Sequence, residues 1–178
     1  MVCATSNSIK RILSENPIAL HFAGHGAKNC PENFPLEYYP GLKNKGDFLI
    51  LEQDEDGSPS YLCESDLRDI FEQLKQQIQF VFVASCHSEM IGIIFRKAGA
   101  KHVICVRENE PIMDDAILYF SENFYRILFQ QNKTICSAYW EVKDMLAKKY
   151  PSESWKLLII RDVDGYDDPS MQNQFYQD

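Results

Sequence analysis

A chain of 178 residues with 45% apolar side chains is long enough for one domain with a sizeable core. A net charge of −8 and a pI near 5.0 argue against a nucleic-acid or anionic-membrane binder, and no run of about 18 apolar residues offers a membrane span. The opening MVCATSNSIKRIL lacks a signal-peptide core, and the cysteines (Cys3, Cys30, Cys63, Cys86, Cys105 and Cys136) are too irregularly spaced for a secreted disulfide framework. An intracellular, cytoplasmic chain with reduced thiols is expected.

Ser8 to Ser14 predicts a short helix with Ile9, Ile12 and Leu13 on one face, ended by Asn16-Pro17. A strand from Ile18 to Ala23 follows at once and runs into Gly24-His25-Gly26. A helix comes first, and the first strand already carries a candidate functional residue, so the chain is expected to be a fragment, or its upstream strands to lie in another segment. Lys28 to Asp47, with three prolines and two glycines, reads as a long loop that could wall a cleft. Phe48 to Glu52 predicts a strand and Asp54 to Ser60 an acidic turn. That turn lacks the remainder of a twelve-residue calcium loop, which argues against calcium. Ser65 is suited to cap a helix burying Leu67, Ile70, Phe71 and Leu74.

The most informative stretch is Gln79 to Ser88, QFVFVASCHS. An uninterrupted apolar run, Phe80 to Ala84, reads as a buried strand of an α/β sheet, and it delivers Cys86 at its carboxyl end, where such sheets gather function. Ile91, Ile94, Phe95 and Ala98 then repeat at helical spacing, and Gly99 ends that helix. Lys101 to Arg107 is a strand. Asp114 and Asp115 suit the first turn of a long helix that buries Ile117, Phe120, Phe124, Ile127 and Leu128. Thr134 caps another, with Ile135, Ala138, Val142 and Met145 inward. Pro151 breaks it, and Lys156 to Ile160 makes a last strand. Strands alternating with helices predict an α/β fold, with a mainly parallel sheet covered on both faces. The domain spans 1–161, and 162–178 form an acidic tail.

Two strands thus bring a thiol and an imidazole to their carboxyl ends, the pairing that nucleophilic catalysis needs. A thiol must lose its proton to attack, and a helix N-terminus and a nearby imidazolium both favour that loss. Gly26 allows close backbone approach, and its N–H with that of Cys86 could hold an oxyanion. His87 is a rival base, ranked below His25 because neighbouring side chains at a strand–helix junction diverge. His21 reads as a satisfied core histidine, and His102 opens a strand with no evident partner. His21 and His25 lack the third ligand that zinc requires, so neither a metal nor a cofactor is expected. No Gly-rich phosphate loop follows any strand, which disfavours a nucleotide-binding domain.

Taken in order, HFAGHG, VFVASCHS, AGAKHVICV and PIMDDAILYFSENFYRIL resemble the CHAT domain, a branch of the caspase-like cysteine peptidases that includes relatives of separase. The similarity spans about residues 18 to 148. It implies a caspase-like three-layer α/β/α sandwich without its N-terminal strands, and a cysteine endopeptidase working through a thioester. It implies His25 as general base and acid, Cys86 as nucleophile, and Gly26 with Cys86 as oxyanion donors. Asp114 matches a recurring acidic position, as a helix cap or a lining of the specificity pocket, with capping favoured. The implied partners are a protein or peptide substrate and a larger parent chain, a helical-repeat domain or an activating partner. His87 departs from the family pattern, which often has a polar or acidic residue there. The alternative is a catalytically silent caspase-like scaffold or regulatory interaction module.

Overall fold

The computed structural model describes residues 5–24, 26–27, 48–53, 56, 58–73, 78–108 and 110–160. His25, Leu74, the loop of 28–47 and the tail of 162–178 lie outside these residues.

Thr5 opens α1 (Ser6–Ser14) with a reciprocal capping box: its Oγ1 accepts from the Ser8 N–H at 3.0 Å, and Ser8 Oγ accepts from the Thr5 N–H at 2.9 Å. The helix stops at Asn16, which takes the left-handed φ of +54° that asparagine tolerates. The chain then enters β1 (Ala19–Ala23). Three short strands follow, β2 (Gly26–Ala27), β3 (Phe48–Glu52) and β4 (Pro59–Cys63), forming a small antiparallel sheet in the order β2-β3-β4.

The strand β4 corrects the reading of Asp54 to Ser60 as turn alone, since Pro59 and Ser60 already belong to the hairpin. Proline is tolerated there because it stands at the first position of an edge strand. Ser65 stands inside the next helix rather than before it, because α2 (Glu64–Glu72) begins one residue earlier, directly after β4. Leu67, Ile70 and Phe71 are its buried residues, as their spacing predicts.

The principal sheet has the order β1-β5-β6-β7, built with β5 (Phe80–Ala84), β6 (His102–Val106) and β7 (Leu157–Ile160). β1, β5 and β6 run parallel and β7 antiparallel. Helix parity explains the reversal. One helix, α3 (Glu89–Lys97), returns the chain to the starting end of the sheet between β5 and β6. Two helices, α4 (Asp114–Gln130) and α5 (Ile135–Lys149), intervene between β6 and β7 and bring the chain back to the carboxyl end. The last strand must therefore run down again.

Alternation along the strands divides the core in two. Val81 and Val83 face α1, α2 and α3 in a largely aliphatic cluster with Leu13, Ile70 and Ile91. Phe80 and Phe82 face α4 and α5 in an aromatic cluster with Phe120, Phe124 and Tyr139. The protein is thus a mixed α/β sandwich with a four-stranded, mostly parallel sheet between two helical layers. Gly92 lets α3 come close to the sheet: a Cβ there would stand 2.8 Å from Cys105 Sγ. Gly99, at φ +117°, turns the chain out of α3.

Candidate active site

Parallel pairing of β1 with β5 sets Ala23 opposite Ala84, and the Gly24 N–H donates to the Ala84 carbonyl at 3.4 Å, one step past the strand ends. His25 follows Ala23 by two residues, and Cys86 follows Ala84 by two. The two segments that carry them therefore leave adjacent strands at the same lip. Gly26 opens β2, paired with Leu49, so the chain enters the small sheet directly after His25.

Cys86 lies in the turn between β5 and α3, not within the strand. It is half-buried and unoxidised, and it packs against the aromatic cluster beneath α4 and α5. The turn is tight, since His87 adopts φ +54°, a left-handed conformation uncommon outside glycine that histidine tolerates better than most residues. The Nδ1 atom of His87 is buried without a hydrogen-bond partner among the described residues.

Ser88 holds this turn. Fully buried at the N-cap position of α3, it donates through Oγ to the Val83 carbonyl at 3.1 Å and accepts from the Val106 N–H at 2.9 Å. One hydroxyl thereby ties the Cys86 turn to the ends of β5 and β6. Glu89 adds a second tie, its Oε2 accepting from the Glu108 N–H at 2.5 Å. Neither residue stands out as a site residue in the sequence. A serine followed by glutamate ahead of an apolar helical pattern is nevertheless a readable helix-start signal.

Asp114 and Asp115 occupy the first turn of α4, where their charge meets the positive end of the helix dipole. Asp114 does not cap by hydrogen bonding, however. The N-cap is Met113, and its N–H donates at 3.0 Å to Oε2 of Glu153, a buried carboxylate from the turn before β7. Burial pushes the Glu153 carboxyl up, but bonds from Met113, Lys156 and Ser152 outweigh it and hold the group below its ordinary range. Glu153 thus anchors the residue that precedes α4, and Asp114 is exposed.

The other histidines also differ from expectation. His21 is satisfied, with Nδ1 2.8 Å from the Tyr125 hydroxyl, but the residue is exposed on β1 rather than in the core. Its ring packs against Phe82, at 4.8 Å, and Tyr125, at 5.6 Å, with the rest of the residue open to solvent. That surround desolvates the imidazole and lowers its pKa from the usual value. His102 does have a partner: its Nδ1 is 4.0 Å from Cys136 Sγ. Cys105, at the centre of β6, is fully buried; burial, reinforced by the charge of Glu89, pushes its thiol far above the ordinary range and makes it inert. Among the described residues, no three His, Cys, Asp or Glu side chains group closely enough to hold a metal ion, and no helix is long and apolar enough to cross a membrane.

No family model matches this chain, and neither does any curated protein.

Proposed function

We propose that the chain carries the catalytic core of a caspase-like cysteine endopeptidase of the CHAT type. Cys86 Sγ attacks the scissile carbonyl carbon while His25 takes the thiol proton. The N–H groups of Gly26 and Cys86 hold the oxyanion. His25 then gives its proton to the departing amine, leaving a thioester on Cys86. Water, activated by His25, releases the acid and regenerates the thiol. The observation that carries this reading is the β1–β5 register, in which Ala23 faces Ala84, two residues ahead of His25 and Cys86 respectively. The Ser88 clamp supports it by fixing the turn that presents the thiol. A cytoplasmic setting, a protein or peptide substrate, and an activating partner or larger parent chain belong to the same proposal.

The test is proteolysis of a defined substrate by the unsubstituted chain and by Cys86→Ala and His25→Ala. Each substitution is expected to lower kcat/KM at least about a thousand-fold with melting temperature preserved. Full activity in Cys86→Ala would sink the proposal. Alkylation followed by peptide mass spectrometry gives a substrate-free check, with Cys86 reacting fastest in the unsubstituted chain and slowing in His25→Ala.

One observation favours the alternative, a silent scaffold or interaction module. Apolar surface remains around β1 and on α4: Ile18 is 69% exposed, and Phe129, stacked on Tyr125, is 72% exposed. A turnover requiring both His25 and Cys86 removes that alternative.

A further inference from the structure

The principal sheet has a second thiol–imidazole pair, at the end opposite Cys86. His102 begins β6, level with Phe80, the first residue of β5. Cys86 lies beyond the last residue of β5, so the length of a five-residue strand, roughly 17 Å, separates the two places. Cys136 is the second residue of α5, whose N-cap Thr134 accepts from the Ser137 N–H at 3.2 Å. Its Sγ stands 4.0 Å from His102 Nδ1, within reach of a sulfur hydrogen bond. Both residues are half-buried, Cys136 packing against the edge of the aromatic cluster, so neither is sealed in the core.

This placement brings together two influences that favour a thiolate. The first turn of α5 presents backbone N–H groups and the positive end of the helix dipole, and His102 can carry the proton that Cys136 loses. The pairing joins residues 34 apart in sequence, one at the start of α5 and one at the start of β6, so it is a product of the fold and not of local chain geometry. Cys105, only three residues from His102, shows the contrast: it lies on the same strand but is sealed in the core.

The geometry points to Cys136 as a thiol-exchange site for small disulfides, with His102 as its positioning residue and proton carrier. The Cys136 thiolate attacks one sulfur of a low-molecular-weight disulfide such as glutathione disulfide. A new S–S bond forms to Cys136 and the S–S bond of the small molecule breaks. The departing thiolate takes the proton from the His102 imidazolium and leaves as a thiol. The mixed disulfide then occupies the junction of β6 and α5. None of these steps involves Cys86, so the site stands whether or not the lip at the other end is catalytic.

The experiment uses the full chain carrying Cys86→Ser, which removes any adduct at the lip. Glutathione disulfide is added at neutral pH, and adducts are located in time by peptide mass spectrometry. In the folded chain Cys136 is expected to acquire glutathione at least about ten-fold faster than the same residue in urea. His102→Asn, with its melting temperature unchanged, brings the rate down to about that of the unfolded chain. His102→Gln serves as a second variant should His102→Asn not fold, and the folded-to-unfolded ratio of the parent chain stands independently of both. A Cys136 that reacts no faster folded than unfolded overturns the inference. So does a folded His102 variant that leaves the rate unchanged.

Discussion

The two faces of the principal sheet are built from different materials. Toward α1, α2 and α3 the strands present Val81, Val83, Val103 and Cys105, and the helices answer mainly with leucine and isoleucine. Toward α4 and α5 they present Phe80, Phe82, Ile104 and Val106 against Phe120, Phe124 and Tyr139. Phe124 alone lies 5.2 Å from Phe80 and stacks on Phe120 at 5.9 Å. Phe80, Phe82, Ala84 and Cys86 recur at every second position along and beyond β5, and all four lie on the aromatic side. The lesson is that the turn after β5 leaves the candidate nucleophile on the same side as Phe80 and Phe82, and that the aromatic layer is the floor on which it rests. The aliphatic layer instead holds the inert thiol, Cys105.

The largest expected effect breaks that floor. Phe124→Ala should cost about 3–5 kcal/mol of stability, because a fully buried ring leaves a cavity its neighbours cannot refill. Denaturant unfolding measures it. On the opposite face, Gly92→Ala should cost about 1–3 kcal/mol, since the added methyl must displace Cys105 or lift α3 from the sheet. If the two substitutions cost the same, the contrast between a deep aromatic face and a closely approached aliphatic face does not hold.

Ser88→Ala sharpens the comparison at the boundary between the layers. Losing the hydroxyl leaves the Val83 carbonyl and the Val106 N–H without this partner, at an expected cost of about 1–3 kcal/mol by unfolding. Alkylation of Cys86 should change more than that of Cys136, because the clamp acts at one end of the sheet.

The smallest effect concerns pH. The folded pKa of His21 is lowered, so its neutral form is the one that folding favours. Its contribution is present above about pH 6.5, the unfolded value, and is lost as pH falls through the lower folded value. Imidazole resonances in an NMR titration should place His21 below 6.5, and His21→Ala should flatten that part of the stability profile. A midpoint at or above 6.5 would contradict desolvation of its ring by Phe82 and Tyr125.

Periodicity made much of this architecture legible. The unbroken run of β5 and the apolar spacing of α3 and α4 read directly as buried strand and amphipathic helices, because each carries its burial pattern within a few residues. The alternation of strands and helices likewise conveyed the covered, mainly parallel sheet. The hairpin of β3 and β4 did not read, since Pro59 and Ser60 carry turn chemistry and their strand character comes from pairing with Glu52 and Leu51. The reversal of β7 was available in principle from the two helical patterns before it.

At the candidate site, the strand ends were readable but their neighbours were not. Glu153 reaches Met113 at the start of α4 across 40 residues of chain, and His102 meets Cys136 across 34. Such partners are chosen by tertiary packing, which leaves no mark in local spacing. His21 misled for a related reason: a histidine within an apolar run looks internal, but β1 is paired on one side only among the described residues, leaving part of His21 toward solvent.

The backbone ladder between β5 and β6 runs from Phe80 and His102 to Phe82 and Ile104, and beyond it Ser88 Oγ stands between the Val83 carbonyl and the Val106 amide. A side-chain oxygen thus takes the place of the next rung, much as a trapped water would, and lets the two strands splay without leaving a buried gap in their bonding. That makes the Val106 amide a reporter of the loop that bears Cys86. Its hydrogen cannot exchange with solvent until that loop lifts away. Its exchange rate is therefore a clock for motion of the loop itself, readable without substrate, inhibitor or label.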